Sequence, residues 1–202
     1  LRVAKNLIDK EIIDTIPVVG VVGNIMLWAS GVDIGEGNKS FIRNTLGDVF
    51  EETWEMAVYL YENHSEYFLL PIDVAVEVNG DRVAMSVEDL PTKNPIYDIG
   101  IRTLMQIRPL MINAGCILWN GPASYFELSG FAFGTIEILN MCTESSAVTI
   151  VGGGHTSSLV SNRGVIDQVT HNSTGGGACL TMLSGGFMPV IDSLTRSHKK
   201  FF

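Results

Sequence analysis

Hydrophobic positions change their period along this chain, and the changes divide it into elements. From Leu1 to Lys10, Val3, Leu7 and Ile8 recur at helical spacing, so one face of a short helix is apolar. Thr15 to Val22 is a short β-rich run ending at Gly23, and Gly23 to Ser30 reads as a helix closed by Gly31. Phe41 to Phe68 carries one long amphipathic helical pattern, and Leu69 to Val78 reads as a strand. Asn79-Gly80 is a strong hairpin signal, with Arg82 to Val87 as the returning strand. Asp89 to Pro95 is rich in turn residues, and Ile99 to Asn113 is helical, with Pro109 set to kink or end it.

Beyond that point the pattern becomes regular. Cys116 to Trp119 is an apolar strand, followed by Asn120-Gly121-Pro122 and a helix over Gly130 to Ser145. Ala147 to Val151 is a buried strand, followed by Gly152-Gly153-Gly154 and a short helix over His155 to Asn162. Gln168 to His171 is a strand, followed by Ser173-Thr174-Gly175-Gly176-Gly177 and a helix over Ala178 to Ser184. Strands alternating with helices point to an α/β fold: a Rossmann-like three-layer αβα sandwich with a mainly parallel sheet, plus a small β-hairpin. No internal boundary or repeat divides the chain, so residues 1–202 read as one domain, with residues 196–202 as a loosely attached tail.

Composition narrows the function. Hydrophobic residues make up 46% and charged residues 17%, enough to bury a core and against disorder. The net charge of −9 disfavours nucleic acid and acidic membranes as partners, so any phosphate must be held locally, by backbone amides and a metal. Cys116, Cys142 and Cys179 are odd in number and far apart; they match neither a disulfide framework nor a metal spacing and fit a reducing cytoplasm. No apolar run is long enough to span a bilayer. The chain begins at Leu1 rather than Met, which reads as a fragment.

Candidate chemistry concentrates at three successive strand ends. In an open parallel sheet, ligands bind outside the carboxyl ends of the strands, so the three turns are expected to face one crevice. Two of them run directly into helix starts, where unpaired N–H groups and the positive end of the dipole meet any anion. Glycine there lets the backbone approach a phosphate with no Cβ in the way. One glycine run alone is ordinarily a tight turn; two at β-to-α junctions with neighbouring hydroxyls point to an anion site. The chain contains no GxxxxGK[ST] and no GxGxxG, which excludes the common P-loop and counts against an NAD-dependent oxidoreductase.

The ordered set resembles the phosphoglycerate kinase family. Trp119-Asn120-Gly121-Pro122 with Phe126-Glu127 is similar to its WNGP–FE motif, and Phe131-Ala132-Phe133-Gly134-Thr135 to its FAxGT motif. Gly152-Gly153-Gly154-His155-Thr156 is similar to GGGDT, and Ser173-Thr174-Gly175-Gly176-Gly177-Ala178 to STGGGA. Upstream, Leu70-Pro71-Ile72-Asp73 resembles an LPxD strand, and Asp98-Ile99-Gly100 with Thr103 a DIGxxT segment. Asn24 to Ala29 with Gly31, Ile34 and Gly35 resembles ANxFLxAxGxxIG. The likeness covers roughly residues 15 to 190. It implies phosphoryl transfer between 1,3-bisphosphoglycerate and ADP, giving 3-phosphoglycerate and ATP in glycolysis. It also implies two Rossmann-like lobes, of which this chain matches the one that binds Mg-ADP or Mg-ATP.

The same resemblance implies roles for particular residues. Gly20 would line the adenine pocket, although Val21 and Val22 depart from the family's glycine-rich form. Asn120, Gly121 and Pro122 would shape the nucleoside and phosphate wall, and Glu127 would accept from the ribose hydroxyls. Gly152, Gly153, Gly154, His155 and Thr156, with Ser173 and Thr174, would surround the phosphates; Thr156 could equally be a helix-start capping residue. Gly153, Gly154, Gly175, Gly176 and Gly177 would stabilise the transferring group, which needs positioned donors rather than a protein nucleophile. His155 stands where the family commonly has a magnesium-binding Asp, and imidazole suits softer metals than Mg²⁺, so no metal ligand is assigned with certainty. This histidine and the shortened segments point to an archaeal branch. The family's GGAK motif and the basic N-terminal lobe with the 3-phosphoglycerate site have no counterpart here; Lys5 and Lys10 are not assigned the GGAK role. As a complete molecule this chain is expected to bind nucleotide without turnover, and a non-catalytic nucleotide-binding module is the alternative. Trp28, Trp54 and Trp119 read as core or pocket-wall residues, and Asp73 with Asp98 as a carboxylate pair that no sequence feature brings together.

Overall fold

A computed structural model describes residues 1–201. The opening helix α1 spans Arg2–Asp9, followed by the short strand β1 (Ile16–Pro17) and helix α2 (Gly20–Ala29). The expected β-run to Val22 is therefore cut short. Pro17 has no N–H for a ladder, and Gly20 turns the chain at φ +60°, starting the helix three residues before Gly23. The long helical stretch expected over Phe41 to Phe68 is two helices, α3 (Glu36–Leu46) and α4 (Phe50–His64). Gly47 separates them at φ +50°, a conformation that helical residues do not adopt.

The single strand expected over Leu69 to Val78 is also two. β2 (Phe68–Leu69) pairs parallel with β1, whereas β3 (Asp73–Val78) belongs to another sheet. Pro71, which has no amide proton for a ladder, lies in the gap. The Asn79-Gly80 hairpin is present, with Asn79 and Gly80 both at positive φ, and joins β3 to antiparallel β4 (Asp81–Ser86). A strand that the sequence pattern missed, β5 (Ile96–Ile99), pairs antiparallel with the other edge of β3. Helix α5 (Ile101–Ile112) accommodates Pro109 in its last turn and ends three residues beyond it.

The regular region follows its pattern. β6 (Cys116–Asn120) is followed by a 3₁₀ turn at Ser129–Phe131 and by α6 (Phe133–Glu144). β7 (Val148–Gly152) leads into α7 (Gly154–Asn162), and β8 (His171–Asn172) into α8 (Gly176–Leu183). The strand expected over Gln168 to His171 is displaced toward the glycine run, because residues 166–168 take a 3₁₀ turn. β6, β7 and β8 form a parallel sheet in that order, with Cys116 opposite Val148 and Ile150 opposite His171. The tail lies on helix α9 (Pro189–Phe201), where Arg196 to Phe201 are all exposed; residue 202 falls outside the described residues.

Two apolar clusters hold these sheets to their helices. Ile117, Trp119 and Val151 from the parallel sheet pack with Leu104 and Ile107 of α5, Ile138 and Leu139 of α6, and Val160 of α7. Ile25, Met26 and Leu27 of α2 pack with Ile42 of α3, Ala57 of α4, and Val74 and Val76 of β3. Val18 joins the second cluster and its neighbour Val19 lies against the first, so the turn before α2 sits where the two cores meet. Each fully buried Leu or Ile contributes about 1.5–3 kcal/mol. That burial rigidly positions the loops at the strand ends.

Candidate functional site

The three strand-end turns meet, and a fourth glycine joins them. A Cβ placed on Gly176 would lie 3.3 Å from the Cα of Gly153 and 3.5 Å from the amide nitrogen of Gly154. One placed on Gly153 would lie 3.1 Å from Oδ1 of Asn120. One placed on Gly20 would lie 2.6 Å from the carbonyl oxygen of Pro122. The four segments are therefore in van der Waals contact only because glycine stands at each approach. Gly153 also holds φ +91° and Gly121 φ +86°, which L-residues with side chains rarely adopt.

Three helices begin at this junction: α2 at Gly20, α7 at Gly154 and α8 at Gly176. None of them has a side-chain cap. In α7 the first amide to find a helical carbonyl is that of Ser157, donating to Gly153 O at 2.9 Å; in α8 it is that of Cys179, donating to Gly175 O at 3.0 Å. The preceding amides of each first turn therefore keep their protons for something outside the helix. Together with the dipoles, they make an electropositive spot built from backbone alone.

The surrounding network explains the other motif residues. Thr135, buried at the start of α6, accepts from the amide of Ala123 at 3.1 Å and shares a hydrogen bond with Ser124 at 2.6 Å, which fixes the Asn120–Pro122 turn. The amide of Tyr125 donates to Tyr97 O at 2.7 Å, tying the same loop to β5. Ser173 is buried, its amide donating to Val151 O at 2.8 Å, while Thr174 is exposed. Thr156, for which the sequence left phosphate binding and helix-start capping open, is held inside the turn. It is fully buried, and its hydroxyl donates to Gly152 O and Gly153 O. The one proton it could offer a phosphate is committed to closing the turn.

Beside the junction runs a groove of about 470 Å³. Phe126 and Glu127 form one wall; Gly154, His155, Ser158, Leu159 and Asn162 form the other. The second wall is one face of α7, read at spacings of one, three and four residues, and Ser158, Leu159 and Asn162 belong to no sequence motif, since only the helix brings them into line. His155 Nδ1 lies 3.3 Å from Glu127 Oε1 across this groove. Among the described residues no group of three or more His, Cys, Asp or Glu side chains could hold a metal ion. Glu127 is the one carboxylate of the groove, and its neighbour is an imidazole. That donor set does not fit direct ligation of Mg²⁺, a hard cation that requires oxygens.

Asp73 and Asp98 do not act on one another. Asp73 is buried and accepts from the amides of Arg102 (2.9 Å) and Thr103 (2.7 Å), capping α5. Asp98 accepts from the amide of Gly134 at 3.0 Å, at the start of α6, and from Arg82 at 3.2 Å. Burial pushes the Asp98 carboxyl up to about 6, against the opposing pull of Gly134, Arg82 and Ile99. Trp119 is in the core, and Trp28 packs with Trp54 against Phe50, at ring-centroid separations of 6.0 Å and 4.3 Å from Trp28 to Phe50 and Trp54.

Comparison with known proteins points to one family. The family model of phosphoglycerate kinase matches residues 1–186. A phosphoglycerate kinase of Methanopyrus kandleri is 36% identical over 196 residues, covering 96% of this chain and 47% of that protein. One of Methanobacterium bryantii is 36% identical, covering 99% of this chain and 48% of that protein. The crystal structure of phosphoglycerate kinase from Pyrococcus horikoshii superposes with a TM-score of 0.88 at 31% identity, over 99% of this chain and 49% of its own. The chain spans about half the length of the curated relatives it matches. With motifs, fold and match all running through the same residues, this chain belongs to the phosphoglycerate kinase family.

Proposed function

We propose that this chain is the C-terminal, nucleotide-binding half of a phosphoglycerate kinase, working in the cytoplasm on the glycolytic transfer between 1,3-bisphosphoglycerate and ADP. The observation that carries the reading is the meeting of three uncapped helix starts at Gly20, Gly154 and Gly176. ADP or ATP lies along the groove with its phosphates over the junction. The free first-turn amides of α7, next to Gly153 and Gly154, donate to the nucleotide's phosphate oxygens. Those of α8, at Gly176 and Gly177 beyond Gly175, face the group in transit. Such donors require no reorganisation as charge develops, and each is worth roughly 3 kcal/mol of barrier. Glu127, an acceptor-only carboxylate, accepts from the ribose hydroxyls, which donate their O–H protons to it. Gly20 and the Asn120-Gly121-Pro122 turn close the nucleoside side. Mg²⁺ would arrive with the nucleotide rather than on a protein ligand set and would supply charge neutralisation when bound.

The carboxylate acceptor, 3-phosphoglycerate, would be held by an arginine-rich N-terminal half. Calorimetric titration of the chain with ADP should give one site, and amide resonances of Gly153, Gly154, Gly176 and Gly177 should shift. Shifts confined to other residues, or no binding at millimolar ADP, would refute the reading. Turnover is expected only when the chain is joined to such an N-terminal half. A module with binding but no chemistry would stay silent in that combined assay.

A further inference from the structure

Glu127 and His155 come from separate elements. Glu127 lies on the loop between β6 and α6, and His155 is the second residue of α7. Their closest atoms, Oε1 and Nδ1, are 3.3 Å apart. The Phe126 ring meets the imidazole edge to face, with centroids 6.2 Å apart and planes at 85°. Exposed polar contacts of this kind contribute little to stability, because ordering two side chains offsets the attraction. What the contact does is limit where the carboxylate can go. An imidazole can present an N–H at Nδ1 in one neutral tautomer and in the protonated ring. Phe126 restrains the ring, and the ring restrains Glu127, on the wall of the groove beside the free amides of α7.

We propose that His155 is a positioning residue for Glu127, holding its carboxylate where it accepts from the two hydroxyls of a ribose, and so setting a preference for ribonucleotides over nucleotides that lack those hydroxyls. The inference rests on the nucleotide reading of the groove. It assigns His155 a task distinct from metal ligation, which its chemistry does not suit, and distinct from phosphate binding.

Calorimetry with ADP and with 2′,3′-dideoxy-ADP tests the assignment on the intact chain. The wild type should prefer ADP by about tenfold, the discrimination expected when a charged acceptor loses its donors. His155→Ala should weaken ADP by a similar factor and leave dideoxy-ADP unchanged within twofold. His155→Asn, which keeps an N–H near the Nδ1 position, should restore most of the preference. The double variant His155→Ala with Glu127→Gln should bind ADP no more weakly than Glu127→Gln alone. Parallel loss of both ligands in His155→Ala, multiplicative losses in the double variant, or no preference in the wild type would overturn the proposal. If the wild type binds neither ligand, the nucleotide reading itself fails; if it binds ADP and His155→Ala matches it, only the positioning role fails. Both side chains are exposed, so unchanged thermal melting should accompany every variant.

Discussion

Gly176 and Gly153 touch backbone to backbone, with space for a methyl on Gly176 only 3.3 Å from the Gly153 Cα. The two glycines have different reasons to be glycine. Gly176 is in the first turn of α8, where alanine is the better helix former by roughly 0.5–1 kcal/mol. Gly153 holds φ +91°, where a side chain costs about 1–3 kcal/mol. Gly176→Ala should therefore leave the melting temperature within a few degrees of wild type while weakening ADP at least tenfold. Gly153→Ala should lower both. Equal ADP affinity in Gly176→Ala would show that the phosphates do not use this contact.

Asp98 makes folding stability depend on pH in an unusual direction. Its folded pKa, about 6, is above the ordinary carboxylate value of 3.8 that the unfolded chain has. The folded chain then holds this proton more tightly than the unfolded chain. The contribution is complete below about pH 4 and is lost as pH rises to about 6. Urea unfolding of wild type and Asp98→Asn at pH 4.5, 5.5 and 7 reads it directly. The stability difference, wild type minus variant, should fall across that range by at most about 3 kcal/mol. A difference that grows with pH would mean that the Arg82 ion pair outweighs the cost of burying the charge.

Much of the site was legible because it is built from backbone. Glycine runs at Gly152 and Gly175 can be read as turn chemistry in any sequence, and their convergence follows from the rule for parallel strands. Thr156 was not legible in the same way: a hydroxyl after a glycine run suits either a phosphate or a turn carbonyl, and only the coordinates show it facing Gly152. The fold was misread where one residue outweighs a periodic pattern. Gly47 and Pro71 each break a run whose hydrophobic spacing is continuous across them. β5 went unseen because four residues after a proline-rich loop carry almost no periodic signal; its strand character comes from pairing with β3.

Asp73, which no feature of the sequence brings together with Asp98, is a clasp between β3 and α5. Its carboxylate accepts from two α5 amides and from the Thr103 hydroxyl at 2.6 Å. Asp73→Ala leaves those donors buried without partners, at about 1–3 kcal/mol for each donor stranded. Loss of at least about 3 kcal/mol in chemical denaturation is expected, with ADP affinity of the remaining folded protein unchanged. A selective effect on ADP affinity, with stability preserved, would put Asp73 in the binding machinery after all.

The three free cysteines report on the site because their surroundings differ. Thiolate is the reactive form, so burial and a raised pKa protect a thiol from alkylation. Cys116 is exposed and should react first with a maleimide. Cys142 is fully buried, and burial pushes its thiol up to about 12, so it should react only after unfolding. Cys179 is intermediate: it lies in α8, with its sulfur 3.9 Å from the point where a Cβ on Gly152 would stand. A nucleotide seated on the amides beside Gly153 and Gly176 covers this part of α8 and restrains its opening. ADP should therefore slow labelling of Cys179 severalfold while leaving the rate at Cys116 unchanged, as read by peptide mass spectrometry over time. Equal slowing at both thiols would indicate a general tightening of the fold, and slowing at neither would move the nucleotide away from the start of α8.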